Sequence, residues 1–437
     1  MSTRDLSLMP LHSGQQEVCA GLSNRTVLRI GRRWGKSSLM QTIAETAALY
    51  GQKKVGFFFP DGAIALDTYD TVISTLKPAI KSSNRTEMLI RTVTGGVIEM
   101  WGLQGENRKY MGRSRGYDLV LIDEASLIPD LEEIYQKSIE PTLSLSKGPT
   151  IMAGTPLGMD DTGFYFKACT IKEATDDWPT VWNEFHRPTS SSPLFTPQMI
   201  EDIKRSRPPL VYQQEYEARF VNWSGESLFK EPDLLVDGHG VDYPQHCEYV
   251  FATIDTAVKD GAANDGTGVI FWAYNKYGSG SPLTVLDWDL QQIKADMQIN
   301  WMPSVFNQLD DLARQCKARY GSAGVYIEDK QSGQWLLQHG ESVGWPTCAI
   351  DARLTQMGKA GRATMASGPV FQGRVKLSQY AYDKTTDYKG VPRNHLLWQV
   401  TKFSLNDKQA YKRADDLSDC FTYGVLIVFG GADPLLI

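Results

Sequence analysis

The chain of 437 residues lacks the features that mark secreted, membrane-embedded or metal-stapled proteins. Its six cysteines (Cys19, Cys169, Cys247, Cys316, Cys348 and Cys420) are scattered, with no C-x-x-C pair and no histidine at ligand spacing. That argues against a disulfide framework and a structural zinc site, and leaves buried thiols as the expectation. No apolar stretch approaches the roughly 18 to 20 residues of a membrane span. The N-terminus lacks the charged-then-apolar pattern of a signal peptide, so a protein that stays in the cytoplasm where it is made is expected. Internal repeats and low-complexity tracts are missing too. So is an excess of positive charge: 45 Lys and Arg against 51 Asp and Glu give a net charge of −6. This excludes a surface coated in nucleic-acid-binding lysines and confines any such contact to local patches. Four basic clusters exist, at Arg32/Arg33, Arg108/Lys109/Arg113/Arg115, Lys359/Arg362/Arg374 and Lys408/Lys412/Arg413. Each also reads as an ordinary solvated face. The rest, 42% hydrophobic and 22% charged residues, is the composition of a globular protein whose length calls for two domains.

One dense signal stands out. Residues 30 to 38 read Ile-Gly-Arg-Arg-Trp-Gly-Lys-Ser-Ser, between an apolar run, Thr26 to Ile30, and a helical pattern, Leu39 to Tyr50. Strand, Gly-Lys-Ser loop and helix form the context of a phosphate cradle. Backbone N–H groups of a loop containing Gly31, Arg33, Trp34, Gly35 and Ser38 are expected to face an anion. Lys36 supplies a charge for the β and γ phosphates, and the Ser37 hydroxyl holds magnesium. The first glycine is displaced by one position from the usual spacing. A second element, Tyr117 to Glu124, is an apolar strand (Leu119 to Ile122) that delivers two carboxylates at its C-terminal end, the ligand-binding edge of open α/β sheets. Asp123 is expected on the magnesium and Glu124 on the attacking water, although acidic residues there also cap helices. A third strand, Thr150 to Ala153, ends in Gly154-Thr155-Pro156, whose threonine is placed to sense the γ phosphate. A nucleotide hydrolase is the expectation.

Residues 1–220 alternate strands and helices, with strands at Val55 to Phe59 and Val181 to Phe185, a hairpin over Met88 to Leu103, and a closing helix at about Leu210 to Phe220. Alternation of this kind indicates a mainly parallel sheet covered by helices. Residues 221–245 lose that periodicity and read as a linker or entry loop. Residues 246–437 open with strands Val250 to Ile254, Gly268 to Ala273 and Leu283 to Trp288. A helix Val305 to Tyr320, a strand Gly324 to Ile327 and a last helix, about Lys412 to Val428, follow in the order of a ribonuclease-H-like α/β domain. Asp255 ends the first of these strands, Glu328 and Asp329 end the fourth, and Asp415, Asp416 and Asp419 open the last helix. Asp416 and Asp419 share a helix face. Carboxylates brought together in this way repel unless cations lie between them, and an all-oxygen set suits two magnesium ions that activate water against a phosphodiester. The alternative is a surface with helix-capping aspartates. Lys330, Ser332 and Gly333 read as phosphate or metal-shell support.

Taken in order, these motifs resemble those of the large terminase subunit of tailed bacteriophages, over nearly the whole chain. Gly31-Arg32-Arg33-Trp34-Gly35-Lys36-Ser37 resembles the family's deviant phosphate loop, and either Gln15 or Gln16 its upstream adenine motif. Leu121-Ile122-Asp123-Glu124 resembles its acidic strand, and Ala153-Gly154-Thr155-Pro156 its coupling motif. Tyr212-Gln213-Gln214-Glu215-Tyr216 is similar to the segment leading into the linker. Ile254-Asp255, Ile327-Glu328-Asp329-Lys330 and Asp415-Asp416-Leu417-Ser418-Asp419 resemble three nuclease motifs. The resemblance implies an α/β fold of two domains, a P-loop ATPase over 1–220 and a ribonuclease-H-like nuclease over 246–437. It implies ATP with Mg²⁺ at the first site. At the second it implies two Mg²⁺ or Mn²⁺ on Asp255, Glu328 and Asp419, with Asp416 as a fourth ligand. Thr155 would couple hydrolysis to motion. Two arginines compete to complete the ATP site: Arg32 within the subunit and Arg113 toward a neighbour in a ring. The implied partners are double-stranded DNA, the portal protein, the small terminase subunit and further copies of the chain. The implied location is the host cytoplasm and, transiently, the procapsid portal vertex, not the mature virion. A helicase-nuclease of DNA repair and a nucleotide-switched assembly factor are the alternatives, and the intact Lys36, Glu124 and Asp255 argue against the second.

Overall fold

The computed structural model describes residues 8–223, 225–256, 266–278, 280–293, 297–329, 332–405 and 415–430. Lys330, Lys408, Lys412 and Arg413 lie outside the described residues, as does the side chain of Ser332. The chain divides into two compact units, one of Met1–Lys204 with Pro209–Asn222 and one of Arg205–Pro208 with Trp223–Ile437. Most of the stretch read as a linker therefore packs with the second unit, where Trp223, Leu228, Phe229, Leu234 and Leu235 are buried. Among the described residues, no helix is long and apolar enough to cross a membrane.

The first unit is built on strands β1 Arg25–Ile30, β2 Lys54–Phe59, β3 Ile80–Asn84, β4 Leu89–Thr92, β5 Val97–Gly102, β6 Leu119–Ile122, β7 Thr150–Gly154 and β8 Asn183–Arg187. They form one sheet in the order β3-β4-β5-β2-β6-β7-β1-β8. The run from β5 to β8 is parallel, while β3 and β4 add an antiparallel edge. Central strands β6 and β7 are buried at every position. That is why they read as continuous apolar runs rather than as alternation, since helices cover both faces of a parallel sheet. Two cores result. One includes Leu28, Leu39, Phe57 and Leu121, and the other Val27, Phe58, Val120 and Met152, as the alternation of side chains along each strand requires.

The second unit holds β9 Tyr249–Asp255, β10 Thr267–Tyr274, β11 Leu283–Gln291, β12 Ser322–Ile327, β13 Thr347–Ala349 and β14 Val375–Leu377, in the sheet order β13-β12-β9-β10-β11-β14. An antiparallel meander of three strands is followed by β12 lying parallel to β9. This is the ribonuclease-H-like arrangement expected from the element order. The helix Asp416–Phe429 is buried along nearly its whole length and lies on the sheet. Thr253 Oγ1 donates to the Cys420 carbonyl at 3.0 Å, and Cys420 Sγ donates to the Gly268 carbonyl at 3.3 Å. Two helix bounds differ from the sequence reading. The helix drawn to Phe220 spans Pro209–Glu215, and the one drawn from Val305 spans Gln298–Gln315, with Pro303 inside it.

Candidate functional site

In the first unit β6, β7 and β1 lie side by side and parallel, so their C-terminal ends, Ile122, Gly154 and Ile30, reach one edge of the sheet. Most of the residues the sequence placed after those strands meet there. Gly31 passes so close to the chain that a Cβ would meet the Tyr216 carbonyl oxygen at 2.3 Å, which fixes the displaced glycine at this position. Gly35 has φ +103° and a Cβ there would meet the Gln15 amide at 2.7 Å, a backbone state that favours glycine. Gly35 also begins the helix Lys36–Leu49, and no side chain caps that end. The N–H groups of its first turn are thus open to an anion.

Lys36 Nζ lies 3.0 Å from Asp123 Oδ1 and 2.7 Å from Glu124 Oε1. Burial alone would depress the Lys36 pKa, but the two carboxylates outweigh it and raise the value, so the side chain stays an ammonium. Asp123 Oδ1 also accepts the Glu124 N–H at 2.9 Å. Glu124 sits at φ +48°, an uncommon backbone state for a glutamate and a mark of functional sites. Thr155 Oγ1 donates to the Ile30 carbonyl at 2.8 Å, and Ser126 Oγ donates to the Thr155 carbonyl at 2.6 Å. Lys36, Glu124, Ser126 and Thr155 line a cavity of about 590 Å³ together with Arg32, Arg33, Ser37 and Ser38. Its volume and its mix of cations, hydroxyls and carboxylates suit a nucleotide with a divalent ion.

Several expected contacts fall elsewhere. Trp34 is fully buried; its indole N–H donates to Ser191 Oγ at 2.9 Å and its ring meets His12 edge-on. It anchors the loop to the core and does not line the cavity. Gln15 donates to the Gly35 carbonyl at 2.8 Å, bracing the loop from behind, whereas Gln16 donates to the Leu11 carbonyl and is exposed. Arg113 donates to Ser138 Oγ at 3.0 Å and stacks on Tyr110, away from the cavity wall. Arg32 lines the cavity but its guanidinium is paired with Glu215, a partner that charge-cluster reading could not supply. In the cluster Arg108/Lys109/Arg113/Arg115, three members are paired with carboxylates: Arg108 with Asp130, Lys109 with Glu133 and Arg115 with Glu99.

In the second unit the strand register does the assembling. Ile327 is level with Ile254 on parallel neighbours, so the residues that follow them, Glu328 and Asp255, emerge side by side. The buried helix brings Asp416 and Asp419 to the same place, and Asp416 Oδ2 accepts the Gly266 N–H at 3.2 Å. Loss of water around Asp255, then the charges of Asp419 and Asp416, hold its carboxyl well above the usual carboxylate range. The helix Lys359–Phe371 answers this charge. Lys359 Nζ lies 2.6 Å from Asp415 and 2.5 Å from Asp419, and buried Arg362 lies 2.8 Å from Asp419. Of these two cations, read from sequence as a basic patch, Arg362 is buried and Lys359 is half-exposed, and both are paired with carboxylates at the start of the last helix, while Arg374 stacks on Phe429. Among the described residues, no three acidic, histidine or cysteine side chains stand in geometry to hold one metal ion. The chemistry of the converging carboxylates nonetheless fits hard divalent cations, although Lys359 and Arg362 occupy one oxygen of Asp419 each.

No protein-family model matches the chain. Over 242 residues the chain is 24% identical to the terminase large subunit of Escherichia phage T5, an alignment covering 54% of this chain and 53% of that protein. The chain thus spans about half the length of this curated relative. Among solved structures, the large terminase of a thermophilic bacteriophage matches with a TM-score of 0.67 over 96% of this chain and 100% of that one, at 12% identity. The same thermophilic phage protein in complex with ADP matches with a TM-score of 0.66 at the same coverage and identity. The chain resembles the phage large terminase subunits in sequence and shares their two-part α/β fold.

Proposed function

We propose that the chain is a DNA-packaging motor and nuclease: it hydrolyses ATP to drive double-stranded DNA into a procapsid, and it cuts concatemeric DNA to start and end packaging. The observation that carries this reading is the meeting of Lys36, Glu124 and Thr155 around one cavity at the C-terminal edge of the first sheet, with Asp123 paired to Lys36. The open helix end and Lys36 hold the phosphates, and Ser37 and Asp123 are the groups that would hold magnesium. When bound, that ion neutralises phosphate charge. Glu124, fixed by its strained backbone, takes a proton from the attacking water. Thr155 reports on the loop because its hydroxyl is tied to the last carbonyl of β1.

At the second site Asp255, Glu328 and Asp419, with Asp416 beside them, would hold two Mg²⁺ or Mn²⁺ for phosphodiester cleavage. Lys359 and Arg362 set the charge balance around Asp419. The partners in this reading are duplex DNA, the portal protein, the small terminase subunit and further copies of the chain in a ring, with Arg113 offered to a neighbour's nucleotide. The setting is the host cytoplasm and, transiently, the portal vertex. The domain limits proposed are 1–220 for the motor and 246–437 for the nuclease. Purified protein should hydrolyse ATP with magnesium and lose that activity in Glu124→Gln; full turnover by that variant would reject the assignment.

A further inference from the structure

Arg32 has two carboxylates within its cavity, Glu124 and Glu215, and it is Glu215 that holds the guanidinium. Glu215 is itself held. Gln214 Nε2 donates to Glu215 Oε1 at 2.8 Å, and Gln214 Oε1 accepts the Gly158 N–H at 2.9 Å. Gln214 is fully buried. Its amide has one orientation that serves both partners, because a flip would turn its NH₂ onto the Gly158 N–H and its oxygen onto a carboxylate. The backbone repeats the connection: the Arg32 N–H donates to the Glu215 carbonyl at 2.7 Å, and Thr189 Oγ1 donates to the Arg32 carbonyl at 2.8 Å. Gly158 lies three residues after Thr155, whose own hydroxyl is bonded to Ile30. A closed circuit of hydrogen bonds and short chain segments therefore runs from Ile30 along the loop to Arg32, across to Glu215, Gln214 and Gly158, and back along the chain to Thr155 and its bond to Ile30.

We propose that Glu215, locked by Gln214 to the Gly158 amide, is the positioning residue that aims Arg32 into the nucleotide cavity and makes Arg32 and the segment after Thr155 shift together. Without Glu215 the remaining carboxylate for Arg32 is Glu124, so the arginine would be drawn onto the group that polarises water. Loss of Glu215 then blunts two groups at once while leaving the phosphate-binding loop in place. The inference rests on the proposed ATP hydrolysis.

The test is a double-mutant cycle on the full chain with Arg32→Ala, Glu215→Gln and the pair, read as kcat and KM for ATP, with Gln214→Leu as a second probe of the same link. Glu215→Gln should lower kcat by about tenfold or more with KM changed by less than about twofold, the signature of a contact used in the transition state. The pair should be no slower than Arg32→Ala alone, because both changes remove one function. Gln214→Leu should lower kcat in the same direction, and its loss should also vanish in the Arg32→Ala background. Losses that multiply in the double variants, with melting temperature falling in step, would mark Glu215 and Gln214 as structural and overturn the inference. Wild-type protein that binds a fluorescent ATP analogue but never turns ATP over would reject the hydrolase reading, and this inference with it.

Discussion

Replacing Lys36 by alanine should injure stability and turnover by separable amounts. The ammonium is 8% exposed and is the cation between Asp123 and Glu124, at 3.0 and 2.7 Å. Removing one partner of a buried charge cluster costs about 3–5 kcal/mol, and the lower end applies because Glu124 keeps some contact with water. For a unit of this size about 3 kcal/mol corresponds to a fall of roughly 6–12 °C in the melting transition. Turnover loses a phosphate-charge donor as well, an effect of about 10²–10³ in rate. Lys36→Arg separates the two losses: it keeps a positive charge against the carboxylates, so melting should recover most of the difference. The guanidinium's planar fork does not replace a compact ammonium, so hydrolysis should stay low. Thermal denaturation alongside phosphate release gives both readouts. A Lys36→Ala protein that melts and hydrolyses like wild type would refute the reasoning.

Trp34→Ala should destabilise the protein by about 3–5 kcal/mol through the void it leaves, and weaken binding of a fluorescent ATP analogue only as a consequence of a loosened loop; selective loss of affinity with unchanged melting would restore Trp34 as a nucleotide contact. If Arg113 serves a neighbour's site, mixing inactive Arg113→Ala and Glu124→Gln proteins under ring-forming conditions should recover ATPase activity, since a supplied arginine is worth about 10³–10⁵ in rate. No recovery at any mixing ratio would count against that role. Asp255→Ala and Asp419→Ala should each abolish plasmid cleavage while sparing ATP hydrolysis, and a chelator should do the same to the wild-type nuclease; cleavage that persists in chelator would make the acidic cluster structural. A lone subunit should bind duplex DNA weakly and with a shallow salt dependence, where each neutralised phosphate contributes a slope of about −0.9; tight binding at near-physiological salt would mean that a continuous basic groove exists.

Much of the first site was legible because parallel-sheet strands leave an unmistakable trace. The apolar runs ending at Ile30, Ile122 and Gly154 had to be buried, and function follows such strands at their C-terminal ends. The hairpin signalled by Gly95-Gly96 appears as β4 and β5, paired antiparallel. Side-chain direction was not legible. Trp34 lies inside a phosphate-loop motif, yet its indole is too large and apolar to remain at a wet cavity once Ser191 and His12 offer a buried seat. Charge clusters misled for a related reason. Lys359 and Arg362 are near one another in sequence, but their acidic partners lie more than fifty residues away in another helix. No local pattern records such a pairing. Glu215 was visible only as part of a matched segment; its grip on Arg32 depends on the helix Pro209–Glu215 folding back beside the loop.

The central claim is that ATP turnover at the Lys36 site moves duplex DNA. Its most direct test supplies the purified chain, ATP, magnesium and linear duplex DNA to matching procapsids, and measures the DNA that becomes protected from added nuclease. Protection should appear with wild type, require ATP, and vanish in Glu124→Gln while persisting in Asp255→Ala when pre-cut DNA is given. Vigorous ATP hydrolysis with no protected DNA under any procapsid condition, or protection that survives Glu124→Gln, would contradict the account.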